Sequence, residues 1–89
     1  MEIYTEKTIY RLLNVKMETS EWWVNDLRHR ENNKPAVEWG DGRKSWYVNG
    51  LSHRTNGPAF ENASGHKSWH LEGVEYSEEE YNKKVKDYV

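Results

Sequence analysis

The chain has no cysteine, which excludes a disulfide framework and any thiolate metal site. It lacks the roughly 20 consecutive apolar residues that a bilayer span requires. The opening MEIYTEK carries acidic residues where a secretory signal would be basic and then apolar. A reducing, cytoplasmic setting is therefore the expectation. Charge of one sign is missing too, since 13 Lys and Arg against 15 Asp and Glu leave a net charge of -2. General nucleic-acid binders are normally basic, so that class is disfavoured, and the balance is too even for an acidic DNA mimic. Aliphatic residues are scarce: 35% of the chain is hydrophobic and the mean hydropathy is -1.16. Its 89 residues leave room for one small domain.

What the chain does have is tryptophan and tyrosine, five of the first and six of the second. Disordered segments are poor in both. A folded domain is expected, with a core built largely from big aromatic rings.

The aromatics fall in a repeat. Trp22, Val24, Asn25, Leu27, His29 and Arg30 recur as Trp46, Val48, Asn49, Leu51, His53 and Arg54 at an offset of 24. Pro35, Ala36, Glu38, Gly42, Lys44 and Ser45 recur as Pro58, Ala59, Glu61, Gly65, Lys67 and Ser68 at an offset of 23, which places one extra residue near Lys34 in the first copy. A shortened third copy, SWHLEGVEY, begins at Ser68. The units are residues 21–44, 45–67 and 68–76, preceded by an entry segment 1–20 and followed by a tail 77–89, all in one domain.

Each unit reads as hairpins. Asn49-Gly50 and Asn56-Gly57 are strong two-residue turns because both central positions tolerate positive φ, and Asn25-Asp26 and Glu72-Gly73 occupy the equivalent of the first. Counting outward pairs Val48 with Leu51, Trp46 with His53, and His53 with Phe60. Opposed residues share a face. One face then carries Trp22, Val24, Leu27, His29, Val37, Trp39, Trp46, Val48, Leu51, His53, Phe60, Trp69, Leu71, Val74 and Tyr76. The other carries Trp23, Arg28, Arg30, Ala36, Glu38, Ser45, Tyr47, Ser52, Arg54, Ala59, Glu61, Ser68, His70 and Glu75. The first is nearly all apolar and the second nearly all polar, as a correct register requires.

The tail predicts a helix. Ser77 and Glu80 form a capping box, glutamates crowd the first turn and lysines follow, and Tyr81, Val85 and Tyr88 make a narrow apolar stripe. In the entry segment Ile9, Leu13, Val15 and Met17 alternate as in a strand, while Ile9, Leu12 and Leu13 also suit a helix turn, and the strand is the favoured reading. Such a strand would pair with Glu21 to Asn25 through a turn at Thr19-Ser20.

The spacing W-Y-V-N-G-x-x-H-R-x-x-G-P-A-x-E, from Trp46 to Glu61, resembles a repeat of small bacteriophage and giant-virus proteins. Its period and G-x-x-H core are similar to MORN repeats, which stack hairpins. The resemblance covers residues 21–76 and implies a viral protein that binds and inhibits a host protein, such as a component of antiviral defence, in the host cytoplasm. Arg30 and Arg54 stand where MORN repeats have glycine, so no lipid role is carried over. The expected fold is mainly β within the α+β class, a twisted antiparallel sheet of MORN-like β-hairpin repeats with one C-terminal α-helix.

Catalytic motifs are not found: there is no P-loop, dinucleotide fingerprint or nucleophile elbow. His29, His53, His66 and His70 have no metal-ligand spacing, and no cofactor or metal is expected. His29 and His53 read as hydrogen-bonded core residues. Arg30 with Glu38, and Arg54 with Glu61, read as cross-strand ion pairs. The remaining feature is a column on the polar face. Trp23, Tyr47 and His70 hold one position in successive units, flanked by Arg28, Arg30, Arg54, Glu38 and Glu61. Exposed aromatics beside arginine are common anchors of protein interfaces. The expected function is a non-enzymatic binding module directed at another protein, with homodimer burial or internal cover of the column as competing readings. Binding of single-stranded nucleic acid or a nucleotide is the alternative, by aromatic stacking with arginine.

Overall fold

The computed structural model describes residues 5–7 and 19–88. Among the described residues ten strands are followed by one helix: β1 (Thr5–Lys7), β2 (Thr19–Val24), β3 (Leu27–Arg28), β4 (Val37–Trp39), β5 (Lys44–Ser45), β6 (Tyr47–Val48), β7 (Leu51–Ser52), β8 (Phe60–Glu61), β9 (Lys67–Leu71), β10 (Val74–Tyr76) and α1 (Glu78–Lys84). All strand pairs are antiparallel, so the chain is mainly β with a C-terminal helix.

The sheet has two halves. In one, β2, β4, β5, β8 and β9 lie side by side. In the other, the hairpins β2–β3, β6–β7 and β9–β10 stack, joined by bonds from Gly50 N–H to the Arg28 carbonyl (2.8 Å) and from Gly73 N–H to the Ser52 carbonyl (2.9 Å). The long strands β2 and β9 serve both halves. The Cα envelope is only 17 Å in its short dimension.

Each hairpin turns where the sequence predicts. Asn25 and Asp26 have φ of 51° and 64°, Asn49 and Gly50 have 51° and 81°, and Glu72 and Gly73 have 50° and 83°. Positive φ at both central residues is the condition for the type I′ turn that matches strand twist. The expected pairs Val48 with Leu51 and Val24 with Leu27 follow.

The second expected turn does not form. Phe60 pairs with Ser45 on one side and Ser68 on the other, not with His53. Residues 54–59 make a loop instead, closed by a bond from the Arg54 guanidinium to the Pro58 carbonyl (3.0 Å), with Gly57 N–H donating to the Tyr81 hydroxyl (3.2 Å). The face assignment is inverted after this loop, and likewise after the corresponding loop at 30–36 of the first unit. Glu38 opposes Ser20 and Lys44, and Lys44 opposes Glu61, which puts both glutamates on the Trp22 side of the sheet. Ala36 and Ala59, expected on the polar face, are fully buried. Leu27, Leu51 and Val74, expected in the core, are 46%, 49% and 51% exposed. All three stand on the return strands of the hairpins, one residue from the turn, where burial is least complete.

Thr19 and Ser20 are not a turn. They extend β2 and pair with Trp39 and Glu38, while the entry strand β1 pairs with Glu21 to Trp23. The alternation from Ile9 to Met17 lies outside the described residues. In the tail, Ser77 caps α1 as predicted by accepting from Glu80 N–H at 3.2 Å, and its hydroxyl donates to the Glu80 carboxylate. The α-helix ends at Lys84, sooner than the stripe suggests, and Val85–Tyr88 tighten into a 3₁₀ turn. Tyr81 is buried, and its hydroxyl donates to the Arg54 carbonyl. The helix is thereby tied to the second unit's loop.

The buried residues Trp22, Val24, Val37, Trp46, Leu71 and Tyr81 form the core with the two alanines. Trp46 also donates its indole N–H to the Asn33 carbonyl at 3.0 Å. Trp46→Ala is expected to cost about 3–5 kcal/mol, as large core truncations do. Trp23→Ala, at a half-buried ring, should cost much less. Urea denaturation of the two variants checks the order.

Candidate protein-binding site

The repeat builds the column from the backbone outward. Trp23, Tyr47 and His70 sit in β2, β6 and β9, each opposed across its hairpin by Arg28, Ser52 and Glu75 respectively. All three rings are half-buried. The Arg28 guanidinium lies 5.3 Å from the Trp23 ring centroid and 5.6 Å from that of Tyr47, so it bridges the first two members. Glu21 holds it there, with an Arg28–Glu21 contact of 2.8 Å and the carboxylate side chain only 12% exposed. Cation–π contacts of this kind contribute about 0.5–1 kcal/mol at exposed sites.

Sequence reasoning missed Glu21, although the repeat carries the signal. Glu21 occupies the place of Ser45 and Ser68, and Arg28 occupies the place of Ser52 and Glu75. Two departures from the repeat, both in the first unit, compensate one another as an ion pair.

Four other expected site residues are not brought to the column. Successive strand residues point to opposite faces, and Arg30 stacks on Trp22, next to Trp23 in β2, at 3.6 Å from the ring centroid. Its guanidinium also donates to the Pro35 carbonyl at 3.1 Å and pairs with Glu38 at 2.9 Å. Arg54 repeats the arrangement over Trp46 at 3.8 Å. It donates to the Pro58 carbonyl and to Asn33 Oδ1 (2.9 Å), and forms no ion pair among the described residues. The expected Arg54–Glu61 bridge is replaced by the Asn33 contact because Asn32 and Asn33, at φ of 64° and 57°, turn the first unit's loop onto the second. Burial lowers the Arg54 pKa from its ordinary value, with the charge of Glu61 and then Tyr81 acting the other way. Arg30, Arg54, Glu38 and Glu61 thus brace the tryptophan side of the sheet, away from Trp23, Tyr47 and His70.

The histidines join neighbouring units. His29 Nδ1 accepts from Asn49 N–H at 2.9 Å, and His53 Nδ1 accepts from Glu72 N–H at 2.8 Å. Each imidazole therefore receives the turn of the following unit, with the ring proton on Nε2. His29 is buried and its Nε2 meets the Glu31 carboxylate at 2.6 Å. His53 is half-buried, not enclosed between Trp46 and Phe60 as expected. Its ring lies 5.5 Å from that of Tyr88, and Thr55 replaces the glutamate.

Among the described residues, no group of three or more His, Asp or Glu is placed to hold a metal ion. No described helix is long and apolar enough to cross a membrane. Compared with protein-family models, curated proteins and solved structures, the chain matches none.

Replacing His29, itself buried, by leucine removes the acceptor of a part-buried bond from the Asn49 turn amide, a loss of about 1 kcal/mol or more. His53→Leu should cost less, since water reaches that site. Hydrogen exchange at the Asn49 amide should accelerate in the first variant and that at Glu72 in the second.

Proposed function

We propose that this chain is a non-enzymatic binding module whose aromatic column takes a protein partner. The observation that carries the reading is the Arg28 guanidinium held between the half-exposed rings of Trp23 and Tyr47 by a nearly buried carboxylate. Tryptophan, tyrosine and arginine dominate interface hot spots because they bring large contact area at low entropic cost. Here the arginine is already ordered before a partner arrives, which lowers the cost of association. His70 extends the row at the third unit.

The likeness of the Trp46 to Glu61 spacing to small viral proteins supports a host protein as the partner, such as a component of antiviral defence. A MORN-like stack of hairpins would serve as the rigid support. The target would then be met in the host cytoplasm. Stacking of nucleic-acid bases on the same rings is the alternative, but the net charge of -2 and the internal neutralisation of Arg28 weigh against it.

The test is capture of a partner from host lysate by the full chain, followed by calorimetry with the purified partner. Tyr47→Ala, with an unchanged circular dichroism spectrum, should weaken binding by at least about 2 kcal/mol. Arg54→Ala should have little effect on binding, because its guanidinium lies on the other side. Unchanged binding by folded Tyr47→Ala would sink the reading, and a steep loss of affinity with salt would favour the nucleic-acid alternative.

A further inference from the structure

The face opposite the column carries a second regular feature. Val24 opposes Leu27, Val48 opposes Leu51, and Leu71 opposes Val74. Stacking of the three hairpins sets these six residues in one apolar stripe. Its members on the return strands, Leu27, Leu51 and Val74, are each about half exposed. Neighbouring members of that trio are two strands apart, about 9.6 Å at a spacing of about 4.8 Å per strand. Residues i and i+7 of an α-helix are separated by about 10.5 Å along its axis. A helix laid across the hairpins would therefore meet the same contact at each unit.

A groove of about 460 Å³ adjoins the stripe, walled by Val48, Leu51 and Tyr88 with His53, Asn49 and Glu72. The charge there is of one sign. Asp26 and Glu72 stand in the turns at the two ends, are exposed, and form no ion pair among the described residues. Glu72 also lies close enough to Tyr88 to help hold its hydroxyl above the ordinary phenol pKa, after desolvation as the larger cause. Apolar contacts at helical spacing, bounded by carboxylates in no ion pair among the described residues, of which Glu72 is hydrogen-bonded to Tyr88, define the complementary ligand: apolar on one face and cationic at its margins. A further strand could add only beside β10, which pairs with β9 alone, and not across the stripe, where β3, β6 and β7 are already bonded to their neighbours.

We propose that the stripe from Leu27 to Val74, with the groove beside Tyr88, docks a cationic amphipathic helix of a partner protein. This surface lies on the other face from Trp23 and Tyr47 and stands or falls independently of the column.

The probe is a fluorescein-labelled synthetic peptide of about 14 residues, long enough to span all three units at about 1.5 Å per residue. It has leucines on one helical face and lysines on the other. Two controls accompany it, one with glutamates for lysines and one with the same composition scrambled. Anisotropy titrations against the full chain should show binding of the lysine peptide alone. Leu51→Gln should weaken it by about tenfold or more, while Tyr47→Ala leaves it unchanged. Should Leu51→Gln fail to fold, the exposed pair Asp26→Asn and Glu72→Gln should remove most of the preference for lysine over glutamate. Equal binding of all three peptides, no binding of any, or indifference to these substitutions would overturn the proposal. Sedimentation with phosphatidylserine vesicles, or self-association abolished by Leu51→Gln, would overturn it too, by identifying a membrane or a second copy as the occupant.

Discussion

The tryptophans of the two full units are buried beneath arginines, and much of the packing in this chain depends on that cover. In each full unit the arginine just past the hairpin's return strand folds back over the ring, 3.6 Å from the centroid for Arg30 on Trp22 and 3.8 Å for Arg54 on Trp46. The same guanidinium donates to the carbonyl of the unit's own proline, so the loop closing the unit is held by the group that covers its core. A guanidinium is suited to this because it is planar, weakly hydrated and rich in donors. Lysine would supply the charge without the flat cover.

Neighbouring units are joined by the strand ladder through β4, β5, β8 and β9, and the histidines add a side-chain link at the hairpin end. An unprotonated Nδ1 of one unit accepts the turn amide of the next, and the turn glycines Gly50 and Gly73 complete the link by donating to Arg28 and Ser52 in the strand beside them. Contacts of this kind reach only the nearest neighbour, which is the energetic pattern of repeat proteins. The first unit adds its 31–34 loop, whose Asn33 receives both the Trp46 indole and the Arg54 guanidinium. At the far end Tyr81 of α1 closes over the second unit's loop, doing for a short stack what a terminal cap does for a long one.

Function is then a matter of which repeated position departs from the pattern. Glu21 and Arg28 depart together and create the ordered guanidinium between Trp23 and Tyr47. Thr55 departs from Glu31 and leaves His53 beside an open groove where His29 is closed. A stack of near-identical units thus presents two different faces, one aromatic and cationic, the other apolar with acidic ends.

The repeat, the three type I′ turns, the hairpin pairs they impose and the cap of the helix were all legible in the sequence, because each depends on residues a few positions apart. Two-residue turns determine register by counting, and Ser77 with Glu80 needs no tertiary help. The loop at 54–59 was not legible. Asn56-Gly57 has the composition of a hairpin turn, yet Arg54, Pro58 and Tyr81 draw it into a closed loop whose bonds reach as far as 27 residues along the chain. Losing that turn put Glu61 on the tryptophan side, the corresponding loop at 30–36 did the same for Glu38, and Arg30 and Arg54 joined them by stacking on the rings. The sequence by itself therefore determined the hairpins and the aromatic row. Only the tertiary structure decided which arginine accompanies that row and which apolar residues stay exposed, because stacking and burial depend on residues that meet only once the units are packed together.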